Sequence, residues 1–334
     1  MKGNIKVGMI RCDLHAVYYA ILMEEHNPKI LWDHNYGKGG YYYLYQTYNR
    51  PYKMSFPKVE GFELVKLWDK NREEAEKMSK IFYGKPTVCK TLEEAIEGVD
   101  LVFIADCNGE GEDHLELAKP SIKRGIPTFI DKPFSYDVKG ALKLVKLAEK
   151  YKTPIMSLSI LRELPHVRYF KNRFIEIGNP EFAVIKTGDF FKMAGHIHGI
   201  SLAQHLFGFG AEAVECMGET PLAFLHIDYG KKEGKPERGV MVCFASGKMW
   251  HCGFCVSVYS GKGTIHSPHF SDYDFPWGCI EIFKKIKKMV ETKQPQVPYE
   301  EMIECIAIAT AGRLSQKEKR KVYLREVWRN VRKR

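Results

Sequence analysis

Short apolar runs alternate with amphipathic segments over the first half of the chain. The spacing of apolar residues predicts strands at residues 4–10, 62–68, 87–89, 100–105, 127–130 and 154–158. Helices are predicted between them at residues 14–25, with Asp13 as the N-cap, and at 72–82, 92–96, 114–124 and 136–151. Almost wholly apolar strands that alternate with helices are typical of a parallel sheet covered on both faces.

The pattern changes after residue 159. Residues 164–177 have the spacing of an amphipathic helix, and β-prone runs follow at residues 181–187, 222–227, 239–244 and 248–258. Helices are predicted again at residues 280–292 and 299–311. This half of the chain indicates a second domain with a largely antiparallel sheet, and a length of 334 residues is enough for two cores.

The net charge of +10 is concentrated at the end of the chain. From residue 312 onwards, ten Lys and Arg accompany only two Glu, and we interpret this segment as a solvated basic tail. No nucleic-acid motif supports another use of the charge, and no apolar run is long enough to span a bilayer. The start of the chain lacks a signal-peptide pattern, and nine scattered cysteines indicate reduced thiols, so we expect a cytoplasmic protein.

The run PTFIDKPFS, residues 127–135, places charged residues directly after a buried strand. Asp131, Lys132 and Pro133 are expected at the carboxyl end of a parallel strand, where open α/β sheets bind their ligands. A lysine partly removed from water and facing a substrate can relay protons. The bond before Pro133 is a candidate for the cis form. The alternative is that Lys132 points into solvent, as most lysines do.

Nearly the whole chain resembles the glucose–fructose oxidoreductase, inositol dehydrogenase and rhizopine-catabolism (Gfo/Idh/MocA) family, and residues 100–157 carry the strongest part of the resemblance. Asn108, His114, Lys132 and Pro133 match the family's motif positions, and Asp131 stands where a Glu is usual. The stretch MAGHIHGISLAQHLFGFG resembles the family's second motif and places His198 on its catalytic histidine. In that register the family's Asp falls on Ala194, and the neighbouring His196 is a further candidate.

The resemblance implies a Rossmann-type dinucleotide-binding domain at residues 1–159 and an α+β substrate and oligomerisation domain at residues 160–334. It implies an NAD(P)-dependent oxidoreductase that transfers a hydride to or from a sugar, polyol or sugar-derived alcohol, as a homodimer or homotetramer. Lys132 and His198 would be the catalytic residues. The resemblance implies cofactor contacts from Gly8, Ile10, Arg11, Asp13, Leu14, Asp69, Arg72, Ala105, Asn108, His114, Asp131, Lys132 and Pro133.

The expected glycine-rich turn after the first strand is replaced. Family members carry Gly-x-Gly-x-x-Gly there to admit a pyrophosphate, and this chain has Arg11, Asp13 and Ala16 at the three positions. Arg11 can offset the charge of Asp13, or pair with it and fill the space. A second function therefore stays open: a protein that lost ordinary dinucleotide binding and binds a sugar-like ligand, or catalyses a redox-neutral elimination or hydrolysis.

Asp69 follows the second strand, where an acid can bond a ribose diol and repel a 2′-phosphate. It favours NAD over NADP, and nearby Arg72 weakens that preference. Asp69 can equally be the N-cap of the next helix.

An insertion at residues 27–60 carries seven tyrosines between positions 36 and 52. We favour a subunit contact or packing flap, with a lid as the alternative. His196 with His198, His266 with His269, and Cys252 with Cys255 lack the second pair of a zinc site, so no metal is expected.

Overall fold

The computed structural model describes residues 3–34, 58–107, 109–187, 197–219, 222–245, 253–271 and 274–332. They form two compact units, each with its own sheet. The first unit comprises Met1–Ser135, Leu142–Ser157 and Cys279–Pro298. The second comprises Tyr136–Ala141, Leu158–Gly278 and Tyr299–Arg334. The domain boundary at residues 159 and 160 stays a prediction.

The first unit holds a six-stranded parallel sheet in the order β3-β2-β1-β4-β5-β6. Its strands are β1 (Ile5–Ile10), β2 (Phe62–Trp68), β3 (Thr87–Val88), β4 (Leu101–Ile104), β5 (Thr128–Ile130) and β6 (Ile155–Met156). The helices up to β6 are α1 (Leu14–Met23), α2 (Pro28–His34), α3 (Arg72–Ile81), α4 (Leu92–Ile96), α5 (His114–Lys123) and α6 (Val138–Tyr151). The predicted parallel sheet is confirmed.

The core of this unit is built on aromatic rings from α1, β4 and β5. The ring of Tyr19 lies 4.8 Å from that of Phe103 and 5.8 Å from that of Phe283, and Phe103 lies 4.6 Å from Phe129. Tyr19, Phe103, Phe129 and Phe283 are fully buried. Their packing fixes α1 against the middle of the sheet and so sets the position of the turn that precedes α1.

The second unit holds a seven-stranded sheet in the order β12-β11-β7-β10-β9-β8-β13. All neighbouring strands are antiparallel except β7 and β10. The strands are β7 (Phe182–Lys186), β8 (Ala213–Glu219), β9 (Leu222–Asp228), β10 (Val240–Ala245), β11 (Cys255–Ser260), β12 (Gly263–His266) and β13 (Val322–Tyr323). The remaining helices are α7 (Ile160–Glu163), α8 (Pro165–Asn172), α9 (Phe174–Ile177), α10 (Ile197–Phe207), α11 (Phe275–Thr292), α12 (Tyr299–Glu318) and α13 (Leu324–Arg332).

The helix predicted at residues 164–177 is wrong as one element, because a break at Arg173 divides that region into α8 and α9, and the short helix α7 precedes it. Leu164 has an extended backbone, as the residue before a proline prefers, and Pro165 then starts α8. The amphipathic spacing persists through the break, with Val167 and Phe170 buried in α8 and Ile177 buried in α9.

The interpretation of the last residues as a solvated tail is also wrong. The helix α12 extends to Glu318, and Val322 of β13 pairs with Val214 of β8. Val322, Leu324 and Val327 are buried between the basic residues. The high proportion of Lys and Arg hid an apolar spacing that joins this segment to the sheet.

The tyrosine-rich stretch at positions 36–52 lies outside the described residues. None of the helices that the structure describes is long and apolar enough to cross a membrane.

Replacing Gly8 by Ala tests the packing of β1 against α4. A Cβ atom at Gly8 would lie 2.4 Å from the carbonyl oxygen of Ala95, so the lack of a side chain there is explained by packing. We expect Gly8→Ala to lower the free energy of unfolding by roughly 1 to 3 kcal/mol in urea titrations. Gly3→Ala is the control, because a Cβ there meets nothing within 4 Å. Equal stability of the two variants would contradict this packing.

Candidate functional site

Two buried aspartates follow neighbouring strands at the carboxyl edge of the parallel sheet. Asp106 lies just beyond β4 and Asp131 directly after β5, and each is only 1% exposed. The backbone N–H of Asp106 donates to Oδ2 of Asp131 at 3.1 Å. A carboxylate removed from water is costly unless cations or N–H groups surround it. These two side chains therefore determine where the cationic groups of the site lie.

Asp131 is paired with His15, in the first turn of α1. Nδ1 of His15 lies 2.5 Å from Oδ2 of Asp131. Burial acts to lower the pKa of His15, but the carboxylate of Asp131 outweighs burial and raises that pKa to about 10. Burial acts to raise the pKa of Asp131, yet the charge of His15 holds it below the ordinary value. At neutral pH the pair is therefore an imidazolium and a carboxylate.

Three further groups lie close to the carboxylate of Asp106. Nη1 of Arg11 lies 2.7 Å from Oδ1, Nε2 of His114 lies 3.0 Å from Oδ2, and the N–H of Gly109 donates to Oδ1 at 2.6 Å. Burial acts to raise the pKa of Asp106, but His114 and Arg11 lower it below the ordinary value. Gly109 is required here, because a Cβ on it would lie 2.4 Å from both carboxylate oxygens.

Lys132 and Pro133 continue from Asp131 at the strand end, where the sequence predicts them. Both are half-buried, and the peptide bond between them is cis. The backbone N–H of Lys132 donates to Oδ1 of Asp131 at 2.7 Å. The position of Lys132 is as expected, and its catalytic role stays a prediction.

Arg11 takes the first glycine position of the turn in a left-handed conformation, with φ of 65°. Such a backbone suits glycine and is strained for other residues. Its guanidinium bonds Asp106 through Nη1 and Asp113 through Nη2, the latter at 2.6 Å. Of the two alternatives for Arg11, direct pairing with Asp13 is wrong, because Asp106 and Asp113 hold the guanidinium.

Asp13 is the N-cap of α1, as predicted, and both of its carboxylate oxygens accept hydrogen bonds. Oδ1 accepts from the N–H groups of His15 at 2.9 Å and Ala16 at 3.1 Å. Oδ2 accepts from the N–H of Cys107 at 2.7 Å, in the loop after β4. Asp13 thus occupies two N–H groups in the first turn of α1 and joins the loops that follow β1 and β4.

Asp69 follows β2 and also bonds the first turn. Oδ2 accepts from the N–H of Cys12 and Oδ1 from the N–H of Asn71, both at 2.7 Å. Asn71, rather than Asp69, is the N-cap of α3, so the capping alternative for Asp69 is wrong. Nε of Arg72 donates to Glu76 one turn along the helix.

The other predicted cofactor residues differ in how deeply they are buried. Ile10 and Ala105 are fully buried and joined by a backbone bond of 3.0 Å between β1 and the end of β4. His114 is fully buried behind Asp106, whereas Leu14 is half-buried at the start of α1. Asn108 lies outside the described residues.

The sheet edge fits the ribose of a dinucleotide but does not fit its pyrophosphate. The half-buried Asp69 suits a ribose diol, and the ends of β4 and β5 carry polar groups toward a ligand position. The phosphate turn does not fit, because Asp13 occupies the N–H groups of His15, Ala16 and Cys107 that an anion would need. These three N–H groups already have a hydrogen-bond acceptor without a pyrophosphate.

His198 lies in the second unit, in the first turn of α10. Its Nδ1 lies 2.7 Å from Oγ of Ser159, and Ser159 also caps α7 by accepting from the N–H of Leu161. A Cβ on Gly199 would lie 2.6 Å from side-chain atoms of Thr187 and Val242, so glycine allows α10 to pack closely there.

His196, Ala194 and Cys252 lie outside the described residues. Among those described, no cluster of three His, Cys, Asp or Glu could hold a metal ion.

Sequence reasoning missed His15, Asp106 and Asp113. Asp106 follows β4 as Asp131 follows β5, so the strand-end rule that identified Asp131 applies to Asp106 as well. Asp113 and His15 carry no comparable local signal, because their partners Arg11 and Asp131 are distant in the sequence.

Replacing His15 by Gln tests the ion pair with Asp131. A raised pKa stabilises the fold fully below the unfolded value near 6.5, and this contribution is lost as pH rises towards about 10. We expect His15→Gln to lower the free energy of unfolding by about 3 kcal/mol at pH 6, with a smaller loss at pH 9.5. Urea titrations at both pH values measure the difference.

His166→Gln is the matched control for that experiment. His166 faces Asp274 at 3.7 Å, but its side chain is 47% exposed, so we expect a change below about 0.5 kcal/mol. A loss for His15→Gln that is the same at pH 6 and pH 9.5 would contradict the charged pair.

Part of the sequence matches a model of a known protein family. Residues 37–158 match the model of the Gfo/Idh/MocA family, described as an oxidoreductase family with an NAD-binding Rossmann fold. The matched segment contains Asp69 and the Asp131-Lys132-Pro133 strand end, and the first turn at residues 11–16 precedes it. A search of curated proteins found no match to the sequence.

Several solved structures share the fold across both units. A probable dehydrogenase from Thermotoga maritima is 16% identical with a TM-score of 0.71, over 97% of this chain and 100% of that one. Myo-inositol 2-dehydrogenase from Lactobacillus plantarum is 13% identical with a TM-score of 0.73, over 96% and 99%. Myo-inositol dehydrogenase from Lactobacillus casei, in complex with NAD(H) and myo-inositol, is 16% identical with a TM-score of 0.71, over 96% of each chain.

The resemblance seen in the sequence is confirmed by the family model and agrees with the shared fold. Residues 37–158, with the Asp131-Lys132-Pro133 strand end, belong to the Gfo/Idh/MocA oxidoreductase family.

Proposed function

We propose that the protein is an oxidoreductase that interconverts a polyol or sugar-derived alcohol and its carbonyl form, with NAD rather than NADP as the hydride carrier. The family match and the inositol dehydrogenases that share the fold support this class of reaction. The observation that carries the proposal is the position of Lys132 directly after Asp131 at the carboxyl end of β5, inside the matched segment.

Lys132 would bond the reacting oxygen of the substrate and relay its proton. Its backbone is fixed by the bond to Asp131, and Asp131 is itself held by His15 and the N–H of Asp106. An ammonium supported in this way can donate to an oxygen that gains negative charge in the reaction. The reacting oxygen would therefore lie near the strand end of β5.

His198 would act as the second acid or base on the substrate. The hydroxyl of Ser159 contacts Nδ1 at 2.7 Å, which orients the imidazole ring at the start of α10. The preference for NAD rests on Asp69, whose carboxylate would repel the 2′-phosphate of NADP.

A second candidate function is supported by the first turn. The carboxylate of Asp13 occupies the N–H groups expected to receive a pyrophosphate, and Arg11 is engaged by Asp106 and Asp113. A chain with this turn can bind a sugar-like ligand without a dinucleotide, or catalyse a redox-neutral elimination or hydrolysis. A screen of polyols with and without NAD, followed by NADH absorbance and product analysis, separates the two functions.

The assembly expected from the resemblance is a homodimer or homotetramer in the cytoplasm. Met217, Leu222 and Tyr323, on the neighbouring strands β8, β9 and β13, are more than 40% exposed, which supports a contact surface on this sheet. Sedimentation of the purified protein measures the number of subunits.

Replacing Lys132 by Met tests the proton relay, because Met keeps the chain length and removes the donor. We expect turnover of the polyol substrate found in the screen to fall by about 10²-fold to 10⁴-fold, with its KM and the unfolding temperature changed far less. Steady-state kinetics with NADH absorbance give both parameters.

Lys123→Met is the matched control, since Lys123 is an exposed lysine at the end of α5. We expect it to retain full turnover. Unchanged turnover in Lys132→Met would remove Lys132 from the mechanism.

A further inference from the structure

We propose that Asp13 is an internal anion that occupies the phosphate position of the first βα turn and so limits how tightly this protein binds a dinucleotide. The proposal rests on the proposed function in one respect: NAD is the dinucleotide considered. It assigns to Asp13 control of cofactor affinity, whereas the resemblance implies only a cofactor contact.

The bonds of Asp13 are those that an anion makes at a helix N-terminus. The start of a helix presents unpaired N–H groups and a partial positive charge, which attract phosphate. In this chain one carboxylate oxygen accepts from His15 and Ala16, and the other accepts from Cys107 across the sheet edge. A pyrophosphate would have to displace three charge-assisted hydrogen bonds that the protein already makes.

Arg11 does not supply a replacement for the N–H groups that Asp13 occupies. A free guanidinium beside the turn would attract phosphate, but Nη1 and Nη2 are bonded to Asp106 and Asp113 at 2.7 and 2.6 Å. Arg11 also fills the first glycine position, where the family's glycine has no side chain. The residue that could neutralise an incoming phosphate is therefore already neutralised by the protein.

The local charge opposes a second anion. In the described part of the chain, carboxylates around the turn outnumber the cations Arg11, His15 and Lys132. These carboxylates are Asp13, Asp69, Asp106, Asp113 and Asp131. Removing the charge of Asp13 should therefore increase the affinity for a ligand with phosphates and leave that for a ligand without phosphates unchanged.

The test compares NAD⁺ with adenosine, which has the ribose but no phosphate, by titration calorimetry. For the wild-type protein we expect NAD⁺ to bind no more tightly than adenosine. For Asp13→Gly we expect NAD⁺ affinity to rise at least about tenfold while adenosine affinity stays within about twofold. Asp13→Asn keeps a capping side chain without the charge, and we expect a gain of at least about threefold. Thermal unfolding checks that both variants are folded.

Asp137→Gly is the matched control, because Asp137 accepts from the N–H of Gly140 at the start of α6 and is likewise a helix cap. We expect it to leave both affinities unchanged. Wild-type affinity for NAD⁺ at least about tenfold above that for adenosine would overturn this proposal and support the proposed oxidoreductase. If neither Asp13 variant binds NAD⁺ more tightly than the wild-type protein, the proposal is overturned as well. A gain without polyol turnover would support the role of Asp13 and count against the oxidoreductase.

Discussion

Two carboxylates buried at the ends of adjacent strands set the arrangement of the whole sheet edge. The backbone N–H of Asp106 donates to the carboxylate of Asp131, and each of these buried carboxylates needs cations or N–H groups around it. Asp131 takes His15 from α1, and Asp106 takes Arg11 from the first turn and His114 from α5. Three helices or turns are thereby held against β4 and β5.

This requirement explains why the first turn departs from the family's glycine motif. Arg11 supplies the cation that Asp106 needs, at the cost of a left-handed backbone that glycine would adopt more easily. Asp13 then satisfies the helix N-terminus and the N–H of Cys107. The same geometry that stabilises this edge without a ligand removes the space and the donors that a pyrophosphate uses. The strand end at Lys132, by contrast, keeps the arrangement expected from the sequence.

The sequence predicted the elements whose signal is local. The strands of the parallel sheet, Asp13 as the N-cap of α1 and the position of Lys132 all follow from apolar spacing and strand-end rules. The ion pairs could not be predicted from the sequence, because partners such as Arg11 and Asp113 are about a hundred residues apart and no spacing rule joins them. The strand β8 was missed since its Glu and Gly residues have low β-propensity, and pairing with β9 stabilises it instead. The basic composition after residue 312 likewise concealed β13.

The central claim is that the N–H groups of His15, Ala16 and Cys107 are already bonded to the carboxylate of Asp13 and are closed to phosphate. The most direct measurement follows the amide resonances of Ala16 and Cys107 in ¹⁵N-labelled wild-type protein during titration with inorganic pyrophosphate. The account predicts that both resonances stay unchanged at millimolar pyrophosphate. A saturable shift of both resonances would show that pyrophosphate displaces Asp13 and would contradict the account.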